Sequence, residues 1–256
     1  MFDRIEVILL DAAGTLFDVR GSVGDIYSNV ARKYGVEADP VALERAFSHA
    51  FRAKAAEGFN VHGTDISSAE KLWWMDVVRA VFAGRMAEGP LARYFEEVFE
   101  AFRRADAWDL FADTHPGLER LRSLGYRLGV ISNFDSRLFD LLANLGLERY
   151  FERVIISWRA GAAKPDVRIF NHAVDTMQVR PERAIHVGDS IADDYDGARK
   201  AGLGAVLLDR RRNHLHREGI VRADSLIELG GMLGPAFSGA RPTSPAPPTA
   251  DRSASQ

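Results

Sequence analysis

Two hydrophobic periods alternate along this chain. Ile5-Glu6-Val7-Ile8-Leu9-Leu10 is a nearly continuous apolar run that stops at Asp11 and turns through Gly14, the pattern of a parallel strand buried on both faces. From Asp18 to about Asp106 the spacing becomes helical. Val23, Ile26, Tyr27 and Val30 share one helical face, as do Leu43, Phe47 and Phe51, and later Leu91, Tyr94, Phe95, Val98 and Phe102. This stretch predicts a separate all-helical unit, with the paired Trp73 and Trp74 as part of its core.

Beyond it, strand and helix signals alternate. A helix bearing Leu118, Leu121 and Leu124 leads into a strand at 127–131, and a helix bearing Leu138, Leu141, Leu142 and Leu145 follows. Then come a strand at 154–156, a helix from Val167, a strand at 184–187, a helix over 192–201 and a strand at 205–208. Such alternation predicts an α/β fold, a Rossmann-like doubly wound parallel sheet. The helical unit interrupts it after the first strand. Past Leu233 the chain turns to Pro, Ala, Ser and Thr, a composition that buries too little apolar surface to offset its ordering entropy. The expected organisation is core at 1–17 and 108–234, helical insertion at 18–107, and a disordered tail at 235–256.

Composition narrows the function. With 46% hydrophobic and 27% charged residues in 256, the chain has enough apolar material for a substantial core. A net charge of -3 supplies no basic field for a nucleic-acid backbone, and Arg210-Arg211-Arg212 reads as a solvated loop. No apolar run reaches bilayer length, and Met1-Phe2-Asp3-Arg4 lacks the layout of a signal peptide. The expectation is a cytoplasmic protein with neither nucleic acid nor membrane as partner. The absence of cysteine excludes disulfides, thiolate metal sites and a cysteine nucleophile.

Asp11, Ser132 and Asp189 each fall at the carboxyl end of a predicted strand, where open α/β sheets bind their ligands. A carboxylate at Asp11 can attack phosphorus and form an aspartyl-phosphate that water later cleaves. Asp189 and Asp194 offer hard oxygen ligands that, with Asp11 and a backbone carbonyl, suit octahedral Mg²⁺. The Ser132 hydroxyl and the Lys164 ammonium can hold the transferring oxygens. Taken singly, each segment is an ordinary strand-end turn, helix cap or loop before a helix. Their joint order is what points to a site.

That order, Asp11-Ala12-Ala13-Gly14-Thr15-Leu16, then Ser132-Asn133, then Lys164-Pro165-Asp166, then Gly188-Asp189-Ser190 with Asp194 and Gly197-Ala198, resembles the haloacid dehalogenase-like (HAD) hydrolases from Phe2 to about Gly231. The helical insertion resembles the cap of the subfamily in which it follows the first motif, and Leu72-Trp73-Trp74-Met75-Asp76-Val77-Val78 is similar to the rhythmically expressed gene 2-like group. The resemblance implies Asp11 as nucleophile, Lys164 as a catalytic and phosphate-binding group, and Ser132 and Asn133 as phosphate-binding. It also implies Mg²⁺ on Asp11, the Ala13 carbonyl, Asp189 and Asp194, a small phosphorylated molecule as substrate, and hinges near 17–21 and 105–111.

One position departs from the family pattern. HAD phosphatases carry Asp-x-Asp-Gly-Thr, and this chain has Ala13 at the second aspartate, which removes acid-base help worth roughly 10² to 10⁴ in rate. Asp18, His49 and His62 are the neighbouring titratable groups, without a pattern that assigns them the role. Four readings stand: a weak or substrate-restricted Mg²⁺-dependent phosphoryl hydrolase; a haloacid dehalogenase, which also lacks that aspartate; a phosphonatase using Lys54 or Lys71 as a Schiff base; and a non-catalytic domain that binds a phosphorylated ligand or a protein.

Overall fold

In the computed structural model, which describes residues 4–58, 65–214, 216 and 218–235, the apolar runs hydrogen-bond into one parallel sheet. In chain order, β1 (Val7–Leu10) is followed by β2 (Phe17–Val19), the helices α1 (Val23–Arg32), α2 (Pro40–Ala56), α3 (Ile66–Val81) and α4 (Glu88–Ala101), and β3 (Trp108–Leu110), which pairs with β2. Next come α5 (Thr114–Ser123), β4 (Arg127–Ser132), α6 (Arg137–Asn144), β5 (Arg153–Ile156), α7 (Ser157–Ala160) and α8 (Val167–Thr176). The chain then forms β6 (Ala184–Gly188), α9 (Gly197–Lys200), β7 (Gly204–Leu208), β8 (Arg222–Ala223) and α10 (Leu226–Met232).

The sheet order is β5-β4-β1-β6-β7-β8, and every pair is parallel. β1 is central, with Val7 opposite Arg127 on one side and Ala184 on the other, and its four residues are buried. A strand buried on both faces needs apolar side chains at every position, which is why this segment reads as a run rather than an alternation. The chain grows outward from β1 to β4 and β5, then returns to β6 on the opposite side of β1. That reversal places the topological switch at the carboxyl end of β1.

Several elements differ from expectation. The helix expected over 192–201 begins as one π-helical turn, Ile191–Asp196, in which the amides of both Asp194 and Tyr195 donate to the Ser190 carbonyl at 3.1 Å. Such turns are frequent at functional sites. The short β2, β3 and β8 carry too few residues to show a period.

The chain divides into two compact units. One comprises Met1–Asp18, Leu110–Phe134 and Leu145–Gln256 and contains the whole six-stranded sheet; the other comprises Val19–Asp109 and Asp135–Asn144. The second is helical, started by side-chain caps: Ser22 accepts from the Asp25 amide, Asp39 from Val41 and Ala42 with Pro40 next in line, and Asp65 from Ser68. Its aromatic core centres on Tyr27, whose ring meets Phe47, Phe82, Tyr94 and Phe102 within 6.2 Å between centroids.

α6, expected to belong with the sheet, joins the helical unit. The Arg137 guanidinium donates to both carboxylate oxygens of Asp135 at 2.9 and 2.6 Å and to the Phe99 carbonyl at 3.0 Å, while lying over the Phe99 ring at 4.0 Å. Trp74 Nε1 donates to Asp135 at 2.6 Å, and Glu70 accepts from the Ser136 amide and hydroxyl at 3.0 and 2.8 Å. The period of Leu138, Leu141 and Leu142 shows that one face is buried, not against which partner. His62 and residues 236–256, the bulk of the expected tail, lie outside the described residues. Among those described, no helix is long and apolar enough to cross a membrane.

The buried Glu70 predicts a pH dependence. Burial, reinforced by the charge of Asp135, raises its carboxyl from 4.5 to about 7. Between those values the folded chain holds a proton that the unfolded chain has released, so stability falls as pH rises from about 4.5 through about 7. Urea midpoints across that range should decline more steeply for the native chain than for Glu70→Gln, and equal slopes would refute the assignment.

Candidate active site

The loops leaving β1, β4 and β6, together with the loop between α7 and α8, bring one set of polar groups to the carboxyl ends of the strands. Asp11 follows β1 directly, its amide donating to the Val187 carbonyl at 2.9 Å. The next residues form a tight turn in which the Ala12 carbonyl accepts from the amides of Thr15, Leu16 and Phe17. Gly14 sits in that turn at φ 83°, and a Cβ there would stand 2.6 Å from an Asp189 carboxylate oxygen. Only glycine meets both demands, the left-handed backbone and the close approach of a neighbouring acid.

Lys164 lies among three acids. Its Nζ donates to Asp11 Oδ1 and to Asp194 Oδ1, each at 2.6 Å, and its side chain is 3% exposed. Asp194 Oδ2 accepts from the Ser190 amide at 3.0 Å, which follows from the π-helical turn that carries it. Its Oδ1 also meets His186 Nε2 at 2.8 Å, and a Cβ on Gly188 would overlap its carboxylate. Oxygens of Asp11, Asp189 and Asp194 lie within 4.8 Å of one another.

The electrostatics follow from this crowding. Burial opposes the charge of Lys164, but Asp11 and Asp194 outweigh it and hold the ammonium above its usual range. Burial likewise opposes the charge of Asp194, yet Lys164 and the hydrogen bond from His186 keep that carboxyl well below the ordinary carboxylate range. Asp11 is pushed up to about 6 by burial and by Asp194 and Asp189, against the pull of Lys164. Asp189 rises to about 6 through desolvation and the charge of Asp194. Three carboxylates facing one ammonium make an oxygen-lined, electron-rich cluster, the donor set that a hard divalent cation takes.

Ser132 closes β4 and is buried. Asn133, expected among the phosphate-binding groups, is engaged at both ends of its amide: Nδ2 donates to the Lys164 carbonyl at 3.0 Å, and Oδ1 accepts from the Lys164 amide at 2.7 Å. Asn133 therefore acts on the site by fixing the lysine backbone. Ala13 presents a methyl group to a cleft of about 690 Å³ that it shares with Asp18, Asp189, Arg211 and His214. Asp18 is paired there with Arg211 at 3.4 Å.

The candidate lysines of the helical unit stand apart from this chemistry. Lys54 is paired with Asp76 and Glu57 at 2.9 Å each, and the hydrogen bonds it donates to Asp76 and Glu57 raise its ammonium pKa, the opposite of what a Schiff-base lysine needs. Lys71 is paired with Glu96 at 2.7 Å. His49 lines a groove between α2 and α3. Sequence reasoning missed His186, whose one signal was a polar residue in the middle of an otherwise apolar buried strand.

Comparison with known proteins agrees with this geometry. The family model described as haloacid dehalogenase-like hydrolase matches residues 5–202. Human haloacid dehalogenase-like hydrolase domain-containing protein 3 is 36% identical over 212 residues, covering 81% of this chain and 84% of its own. The Drosophila melanogaster rhythmically expressed gene 2 protein is 28% identical over 220 residues, covering 81% and 84%. Among solved structures, a dehalogenase superposes with a TM-score of 0.71 at 22% identity over 91% of this chain and 99% of its own. The magnesium-bound HAD-hydrolase YfnB from Bacillus subtilis superposes with a TM-score of 0.68 at 16% identity over 90% and 99%. With most of its length matched by the family model and its acidic cluster at the strand ends, this chain belongs to the haloacid dehalogenase-like hydrolases.

Proposed function

We propose that this chain is a Mg²⁺-dependent phosphoryl hydrolase that acts on a small phosphorylated molecule through a phosphorylated Asp11. The observation that carries this reading is the Lys164 ammonium held at 2.6 Å from Asp11 beside two further carboxylates within 4.8 Å. Asp11 attacks phosphorus, the bond to the leaving oxygen breaks with its electron pair going to that oxygen, and water then cleaves the Asp11 phosphate. Lys164 favours the ionised form of Asp11 against burial and is within reach of the oxygens of a phosphoryl group seated there. The Ser132 hydroxyl, at the end of the neighbouring strand, is the second donor to those oxygens. Mg²⁺ held by Asp11, the Ala13 carbonyl, Asp189 and Asp194 would neutralise charge that otherwise repels an anionic substrate.

Ala13 sets the substrate range. A methyl group delivers no proton to the leaving oxygen, so turnover favours leaving groups that depart as stable anions, such as aryl or acyl phosphates. Capture of a phosphorylated ligand without turnover is the second reading, and the same methyl group is the observation that favours it. The paired state of Lys54 and Lys71 argues against phosphonate cleavage, and a three-carboxylate cluster is superfluous for displacing halide.

Hydrolysis of an activated aryl phosphate should require Mg²⁺, stop with EDTA and vanish in Asp11→Asn; Mg²⁺ binding without any turnover in the native chain would favour ligand capture. Ala13→Asp should raise turnover of alkyl phosphates by roughly 10² or more while changing aryl phosphates far less. An equal gain on both, or none on either, would argue that the leaving oxygen does not face position 13.

A further inference from the structure

His186 occupies the middle of β6, hydrogen-bonded between β1 and β7, and is 1% exposed. Its ring stands edge-on to Phe170 at 5.3 Å between centroids. An aliphatic side chain would fill such a position without the cost of burying an imidazole. The ring has one polar contact, Nε2 to Asp194 Oδ1 at 2.8 Å, and among the described residues its Nδ1 has no partner. Asp194 is an ionised acceptor, so Nε2 carries the hydrogen and donates. Nδ1 faces no acceptor among the described residues, so the hydrogen on Nε2 is the one that the geometry places.

This contact changes what Lys164 can do. Asp194 Oδ1 accepts from both Lys164 Nζ and His186 Nε2, which approach it from different elements. Asp194 Oδ2 is held by the Ser190 amide at 3.0 Å, so without the imidazole Lys164 would be left, among the described residues, as the sole donor to Oδ1. The Lys164–Asp194 pair, closed at 2.6 Å, competes directly with a cation for that oxygen. We propose that His186 is a positioning residue for the cation site: by donating to Asp194 Oδ1 alongside Lys164, it holds that carboxylate in place and weakens the grip of the ammonium on an oxygen that a cation would take. The proposal rests on the Mg²⁺ reading above and adds to it a residue from the strand interior.

Isothermal titration of the full chain with Mg²⁺ alone tests it without reference to turnover. His186→Leu removes the donor and keeps the volume, and it should weaken Mg²⁺ binding about 10- to 100-fold, as loss of an outer-shell partner does. His186→Gln, whose amide can reach Asp194, should recover most of that affinity, and saturating Mg²⁺ should restore kcat in the Leu variant. Native affinity in folded His186→Leu would overturn the proposal and leave the hydrolase reading intact. Mg²⁺ binding in the native chain without turnover would do the reverse, and native protein that binds no Mg²⁺ would overturn both. Should the Leu variant not fold, long-range ¹H–¹⁵N spectra of the native chain decide: a hydrogen on His186 Nε2 is required, and a ring protonated at Nδ1 alone would refute the proposal.

Discussion

The ion pair of Lys164 with Asp11 and Asp194 is the interaction on which the site depends. Buried charges are tolerated only when paired and hydrogen-bonded, and here one ammonium satisfies two carboxylates at 2.6 Å each. The pairing is uneven in its effect. Asp194 is held firmly ionised, whereas desolvation and the charge of Asp194 push Asp11 and Asp189 each up to about 6. The cluster thus retains an unmet demand for positive charge, a physical reason for it to accept a cation.

Everything around that pair serves to place it. The parallel sheet brings the ends of β1, β4 and β6 side by side, and the reversal of strand order opens the crevice above β1. Asn133 grips the Lys164 backbone from the end of β4, and the Lys164–Pro165 peptide is cis. Gly14 and Gly188 leave space where the carboxylates of Asp189 and Asp194 lie against the main chain. The π-helical turn aims the Ser190 amide at Asp194. Sheet, turn and glycines together fix three acids and one base over a few ångströms.

The helical unit has a polar interior of its own. Arg137, packed over the Phe99 ring and bonded to Asp135, ties α6 to α3 and α4 through Trp74, Glu70 and the Phe99 carbonyl. Asp135 follows Ser132, the last residue of β4, by three residues. A buried network of this kind is costly unless every member is satisfied. That demand accounts for α6 grouping with the helices rather than with the sheet.

Local pattern determined a great deal by itself. Apolar runs identified the central strands, helical spacing identified the insertion, and the order of Asp11, Ser132, Lys164, Asp189 and Asp194 identified the family, because strand-end placement is a property of sequence position. Ala13 was equally visible, since the loss of a carboxylate needs no coordinates to be noticed. Tertiary structure alone decided which groups touch. The commitment of Asn133 to the lysine backbone, the pairing of Lys54 and Lys71 with acids, the allegiance of α6 and the role of His186 all depend on contacts between residues far apart in the chain. Periodicity reports that a face is buried; only the packed chain specifies what it is buried against.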